Sequence, residues 1–248
     1  MLNSKIILIT GASSGIGRAC AHQLSKYASH LILISRSKEK LECLQEELSH
    51  ITKVSIIASS VCDKDIEAKI KKVTPRVDIL VNNAGLALGK DPVASLKYEH
   101  MEEMIQTNVL GNFNLSRIVL PMMLEHQEGD IINICSIAGH YSYMGGSVYC
   151  ATKHAVKAFT RAMREETCGK NIRVMEVSPG MVETNFSLTR FGGDQSLADA
   201  VYQGMTPLTP ADIAEIVEFM ATRPRHVVLD EIITMPTDQG SPSTVCRR

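Results

Sequence analysis

The sequence predicts a single α/β domain, built as a doubly wound, mostly parallel sheet of seven strands with helices on both faces. Three observations lead there. Runs rich in Ile, Leu and Val occur at residues 5–10, 30–35, 53–58, 78–82, 130–136, 171–178 and 226–235. Most are continuously apolar rather than alternating, which marks strands buried on both faces and hence a parallel sheet. Between them, residues 15–28, 38–49, 63–73, 99–125, 149–168 and 210–222 have helical spacing and are long enough for right-handed crossovers. No repeat, low-complexity run or linker divides the 248 residues, and α/β units of this size form one domain. Residues 185–207 are polar, contain Gly192-Gly193 and break the alternation. Long irregular segments in compact domains are usually functional, so this one is expected to be a lid.

Composition excludes several functions. The chain is 44% apolar and 21% charged with a net charge of -1, so it lacks the basic excess of a nucleic-acid binder. Seven cysteines stand at 20, 43, 62, 135, 150, 168 and 246 with no C-x-x-C pair. That pattern fits reduced thiols in a cytoplasmic protein rather than a disulfide framework or zinc ribbon. The eight histidines form no H-x-x-x-H pair, and no metal site is expected. The opening residues Met1 to Lys5 lead into Ile6-Ile7-Leu8-Ile9, an apolar run too short for a signal core or a membrane span.

Taken in order, the strand ends carry the chemistry. After the first comes Thr10-Gly11-Ala12-Ser13-Ser14-Gly15-Ile16-Gly17. Its glycines permit a tight turn and close approach of backbone N–H groups to a pyrophosphate, and the following helix points its positive end there. A plain strand–helix turn is the alternative. The second strand ends at Ser35-Arg36, with Lys38 close behind. An NAD enzyme places an acid here for the ribose 2′-OH; an arginine suits a 2′-phosphate, which favours NADP(H). An ordinary solvated charge is the alternative for Arg36.

The fifth strand ends at Ser136, beyond the carboxyl edge of the sheet where ligands of open α/β sheets bind. Its hydroxyl can hold a substrate oxygen, or simply cap a turn. Cys135 is expected on the opposite sheet face. Thirteen residues beyond Ser136, Tyr149 and Lys153 lie one turn apart on one helix face. A lysine beside a tyrosine favours the phenolate. Bringing a phenol from about 10 to about 7 needs roughly 4 kcal/mol of differential interaction, and the ammonium and an oxidised nicotinamide are the expected sources.

With these residues assembled, the chain resembles the short-chain dehydrogenase/reductases, from Lys5 to about Pro242. Four motifs carry the resemblance in order: residues 10–17, Asn82-Asn83-Ala84-Gly85, Ser136 with Tyr149-x-x-x-Lys153, and Pro179-Gly180. It implies a Rossmann-type fold with Ser136, Tyr149 and Lys153 as catalytic residues, and Asn108 as holder of a water in a relay to the lysine. It also implies that Asn82, Ala84 and Gly85 border the cofactor, with Pro179, Gly180, Val182 and Thr184 at the nicotinamide. The adenine-site acid of the family is replaced by Ser60, followed by Val61, and the third strand and its helix look short. Residues 86–89, 182–191 and 236–242 are similar to the NADP-dependent 3-hydroxy acid dehydrogenase group, which implies a small 3-hydroxy acid or its carbonyl as substrate. Arg190 would pair with its carboxylate, or else make a surface or subunit contact. Helices 99–125 and 149–168 resemble those that pair in family tetramers, so a homotetramer is expected. A 3-oxoacyl-carrier or general carbonyl reductase, and a non-catalytic NADPH-binding regulator, stand as alternatives; the intact tyrosine and lysine weigh against the last.

Overall fold

Seven strands form one sheet: β1 (Lys5–Thr10), β2 (Ala28–Ser35), β3 (Lys53–Ala58), β4 (Ile79–Asn82), β5 (Gly129–Ile134), β6 (Ile172–Pro179) and β7 (Glu231–Thr234). Among the described residues nine α-helices accompany them: α1 (Gly15–Ser25), α2 (Lys38–Leu48), α3 (Ile66–Val73), α4 (Tyr98–Ile105), α5 (Asn112–His126), α6 (Ser147–Thr167), α7 (Phe186–Arg190), α8 (Gln195–Ala200) and α9 (Pro210–Thr222). The structure is a computed structural model that describes residues 4–248. Met1, Leu2 and Asn3, part of the amino-terminal run read above, lie outside the described residues.

The strand order is β3-β2-β1-β4-β5-β6-β7. All six ladders are parallel, so the sheet is wholly rather than mostly parallel. Period-two alternation sorts its side chains into two cores. Ile7, Ile9, Leu31 and Leu33 face α1, α2 and α9; Leu8, Ile32, Ile34 and Leu80 face the side covered by α3, α5 and α6. Every residue of β5 and β6 is buried, polar Asp130, Asn133, Arg173 and Glu176 included, as central strands covered on both faces require.

The helices start and stop for local reasons. Thr209 and Asp212 form a reciprocal capping box with Pro210 in the first turn of α9. Gln127 adopts φ 53° and terminates α5. The predicted helix at 99–125 is not continuous: a π-helical segment, Gln106–Gly111, separates α4 from α5. Such widened turns occur frequently at functional sites and leave no signature in apolar spacing. The predicted strand at 226–235 shrinks to β7, because the turn closed by Val227 N and Pro224 O (2.8 Å) occupies its first part. The strand at 130–136 ends at Ile134, where Ser136 caps a short 3₁₀ turn, Ile137–Gly139.

One buried ion pair ties the far side together. Arg173 Nε and Nη2 donate to Asp130 Oδ1 and Oδ2 at 2.8 and 2.6 Å. The remaining Arg173 N–H groups reach carbonyls of Ala221, Arg223 and Val227 at 2.9, 3.0 and 3.3 Å. Both side chains are almost fully buried, and removing one partner strands the other's charge. Asp130→Ala is expected to lower stability by about 3–5 kcal/mol in urea unfolding at neutral pH; a loss below about 1 kcal/mol, the scale of exposed pairs, would contradict this account.

Candidate active site

The sheet order reverses at β1, whose neighbours β2 and β4 feed crossovers to opposite faces. The loops after β1 and β4 therefore part and leave a crevice at the carboxyl edge. Thr10 Oγ1 pins them at its floor by accepting from Asn83 N and Ala84 N, both at 2.9 Å. Gly11 has φ 63°, and a Cβ there would lie 2.8 Å from Asn83 Nδ2 and 3.1 Å from Ala84 Cα. Above this floor lies a cleft of about 410 Å³.

One arm of the cleft suits a dinucleotide. No side chain caps the start of α1, so its first N–H groups stay available to a phosphate. Gly15, φ 52°, keeps the space between this turn and Thr184 open; a Cβ would stand 3.2 Å from Thr184 Cγ2. Ser13, Ser14 and Ile16 line the same arm. Ser35 Oγ donates to Ser13 Oγ at 2.7 Å, joining the ends of β1 and β2. Beside it Arg36 is 70% exposed, its only ionic neighbour among the described residues being Glu103 at 3.6 Å. Such a loose pair leaves the guanidinium able to meet a phosphate. Ser60 and Val61 line the end of this arm. Ser60 Oγ accepts from Cys62 N at 3.2 Å, while Asp63 folds back to accept from Ser59 Oγ (2.5 Å) and Ser60 N (3.0 Å).

The other arm holds the reactive side chains. Tyr149 and Lys153, on α6, are both buried. Lys153 Nζ lies 5.8 Å from the centre of the Tyr149 ring and donates to Ile134 O at 3.0 Å. Ser136 Oγ accepts from Ala138 N at 3.1 Å and donates to Pro179 O at 3.5 Å, so the turn-cap reading and the cleft-lining reading both hold. Burial pushes the Tyr149 phenol above its ordinary value near 10; Ser136 and Arg190 alongside pull the other way and lose. Burial likewise pushes Lys153 below its ordinary 10.5, with Glu176 opposing. In the protein alone, desolvation thus outweighs the Ser136 hydroxyl and the Arg190 charge at Tyr149.

The cleft gathers Gly85, Ala84, Pro179, Gly180, Val182, Thr184 and Arg190 as well. Three expected residues stay outside its lining. Gly17 is buried where a Cβ would strike the Gly11 carbonyl and Asn83, so its role is packing of α1 against the loop. Asn82 points away: its Nδ2 donates to Ser116 Oγ (3.0 Å) and Asn112 O (3.3 Å), and Asn83 takes the cleft side. Asn108, in the π-helical segment, donates to Leu86 O (2.8 Å) and Thr152 Oγ1 (3.1 Å) and accepts from Leu86 N (2.8 Å). Its side chain is thus spent on the loop after β4. Cys135 borders the cleft, and its thiol donates to Lys153 O at 3.3 Å, whereas the Ser136 hydroxyl turns to Pro179 O and Ala138 N.

Sequence reasoning missed Tyr143, Tyr202, Lys90 and Gln239, which also line the cleft. None belongs to a spacing pattern. It also missed a cluster of His140, Glu176 and Glu231, brought together from three elements. Lys157 Nζ already fills that space, 2.5 Å from His140 Nδ1 and 3.2 Å from Glu231, so the cluster is a closed charge network.

A wholly parallel doubly wound sheet with serine, tyrosine and lysine converging beside a glycine-rich cleft defines a dinucleotide-dependent oxidoreductase fold. Residues 5–192 match the short chain dehydrogenase family, and the chain belongs to it. It is 45% identical to the NADP-dependent 3-hydroxy acid dehydrogenase of Schizosaccharomyces pombe, covering 100% of this chain and 98% of that one. It is 38% identical to a serine 3-dehydrogenase of Agrobacterium fabrum over 96% of both. Among solved structures, the closed form of a serine dehydrogenase complexed with NADP+ superposes with a TM-score of 0.91 at 37% identity, over 98% of this chain and 99% of that one.

Because burial raises the Tyr149 phenol, the protein without cofactor is expected to show no Tyr149 phenolate below pH ~9. Near-ultraviolet absorbance of the wild type minus Tyr149→Phe checks this; a titration near neutrality in that difference would contradict it.

Proposed function

We propose that the chain is an NADP-dependent oxidoreductase that interconverts a small 3-hydroxy acid and its carbonyl counterpart. One observation carries the choice of an acidic substrate. Arg190 Nε, Nη1 and Nη2 donate to Gly89 O, Tyr143 Oη and Gly145 O at 3.0, 3.1 and 3.2 Å. All three acceptors are neutral, and the guanidinium sits 5.9 Å from the Tyr149 ring centre. A fixed cation without a carboxylate partner, one side chain from the reacting hydroxyl, matches a substrate whose acid group lies close to its carbonyl or alcohol. The similar 3-hydroxy acid and serine dehydrogenases support the same reading.

The roles follow from position. Bound nicotinamide would give or take the hydride. Ser136 Oγ holds the substrate oxygen, and Tyr149 Oη donates a proton to it during reduction or removes one during oxidation. The raised phenol is the proton-bearing form that reduction needs; oxidation needs the phenolate, which Lys153 and a cationic nicotinamide favour. Arg36 and Ser35 would hold the 2′-phosphate, and residues 11–17 the pyrophosphate. Asn108 sets the loop after β4 and, with it, the surroundings of Lys153. Residues 185–207 act as the lid: α7 carries Phe186 and Arg190, the turn after α8 carries Tyr202, and all three line the cleft. The chain then works as one catalytic domain over 1–248. The free cysteines suit the cytoplasm, and α5 and α6 are the faces through which a homotetramer would form. No helix among the described residues is long and apolar enough to cross a membrane.

Reduction of NADP+ with L-serine, L-allo-threonine, 3-hydroxyisobutyrate and 3-hydroxypropionate, each beside an NAD+ control, tests the reading directly. Turnover with NADP+ is expected on at least one acid, falling about 10- to 100-fold in kcat/KM in Arg190→Gln and about 10²- to 10⁴-fold in Tyr149→Phe. Silence on all four acids with turnover of neutral ketones would overturn the acidic substrate.

Arg36→Ala is expected to weaken NADPH binding about 10- to 100-fold while sparing NADH. Fluorescence titration with both cofactors checks it, and equal losses would remove Arg36 from the 2′-phosphate.

A further inference from the structure

We infer that residues 238–248 latch the outer wall of the substrate cleft, with Arg247 as a positioning residue for substrate. The inference rests on the proposed function for its readout in turnover.

The segment after β7 folds into a small closed hairpin. Gln239 and Val245 form an antiparallel bridge, Gly240 N donates to Thr244 O at 2.9 Å, and Cys246 N donates to Asp238 O at 2.8 Å. One side of the hairpin enters the site. Gln239 and Pro242 line the cleft, and Gln239 Oε1 accepts from Met181 N at 2.8 Å, just beyond the Pro179-Gly180 turn.

The other side grips the end of the lid. Arg247 Nη2 donates to Val201 O at 3.0 Å and Nη1 donates to Gln203 O. Arg248 N donates to Gly204 O at 2.8 Å, and Asp238 Oδ2 accepts from Thr206 N at 3.1 Å. Gly204 permits this approach: it has φ 73°, and a Cβ would lie 2.9 Å from Arg248 O and 3.2 Å from Arg247 Cβ. Val201 and Tyr202, the residues so held, line the cleft. Tyr202 Oη in turn donates to Val182 O at 2.9 Å and lies 2.8 Å from Ser187 Oγ. The latch therefore runs from Arg247 through Tyr202 to the strip that carries Val182 and Thr184. A planar guanidinium reaches two carbonyls two residues apart; an ammonium acts as a point charge and satisfies one.

This makes Arg247 act directly on the wall that meets substrate, and on the dinucleotide arm only at second hand, through the backbone of Val182. The test uses the NADPH-bound protein with Arg247→Ala, Arg247→Lys and Gly204→Ala. Arg247→Ala is expected to raise KM for the hydroxy acid about tenfold, the loss of one charge-assisted contact. In that variant kcat should change less than about threefold and NADPH affinity less than about twofold, both below half a decade of free energy. Arg247→Lys should fall between, and Gly204→Ala should resemble Arg247→Ala. Hydrogen exchange over residues 201–206 should quicken in the same order, with residues 10–20 unchanged. An unaltered KM in Arg247→Ala overturns the positioning role, whatever the exchange shows. Parallel losses of kcat, NADPH affinity and melting temperature also overturn it, in favour of general destabilisation. A wild type silent on every hydroxy acid would sink the functional reading instead, and unchanged exchange in Arg247→Ala would then sink the latch separately.

Discussion

The structure depends on one constraint, the reversal of strand order at β1. With β2 on one side and β4 on the other, the helices that follow β1 and β4 cover opposite faces, and the loops leaving these two strands meet only at their base before they part. Thr10 supplies the closure that the topology withholds, its hydroxyl accepting two amides from the loop after β4. The glycines at 11 and 17 are needed for the same reason, since the loop and α1 approach the second loop too closely for a Cβ. The crevice is thus a consequence of connectivity, and the residues around it are those that stand at strand ends.

Connectivity also explains the electrostatics. Tyr149 and Lys153 sit under the sheet's carboxyl edge with little access to water, so burial moves the phenol up and the ammonium down. Both shifts favour the neutral forms, and a separated charge here must be supported by a partner that enters the cleft. The same burial takes Cys135 up to about 12, which makes that thiol inert although it lines the site. Burial therefore favours the protonated form of both the phenol and the thiol in the protein alone.

Most of this was legible in the sequence because each strand end announces itself chemically. Parallel burial writes continuous apolar runs, the phosphate turn demands glycine, and a helix face requires the four-residue spacing of Tyr149 and Lys153. What was not legible arises where regular periods fail. The π-helical segment at Gln106–Gly111 shares its composition with ordinary helix. The end of β5 at Ile134 is followed by a turn that Ser136 caps, which no apolar spacing announces. In the pair Asn82-Asn83, a single step of strand alternation decides which amide faces the cleft, and the structure gives it to Asn83. Gln239 reaches the site only because a hairpin folds back over it.

That last case shows how substrate selection can be built on such a fold. The strand ends supply a floor and α6 supplies Tyr149, but neither supplies an outer wall, because every strand has ended. The wall must come from segments without strand or long-helix periodicity, and two of them meet here. Arg190 anchors one end of the lid to the loops at Gly89 and Gly145, and the hairpin grips the other end at Val201–Thr206. Fixed at both ends, this segment holds the Arg190 guanidinium 5.9 Å from the centre of the Tyr149 ring. A cation held in advance costs a substrate less ordering than one recruited on binding. Its nearest protein acceptors are neutral, so an anionic group gains from it what a neutral carbonyl cannot. Selectivity for acids then resides in how the lid is tethered as much as in the charge it carries.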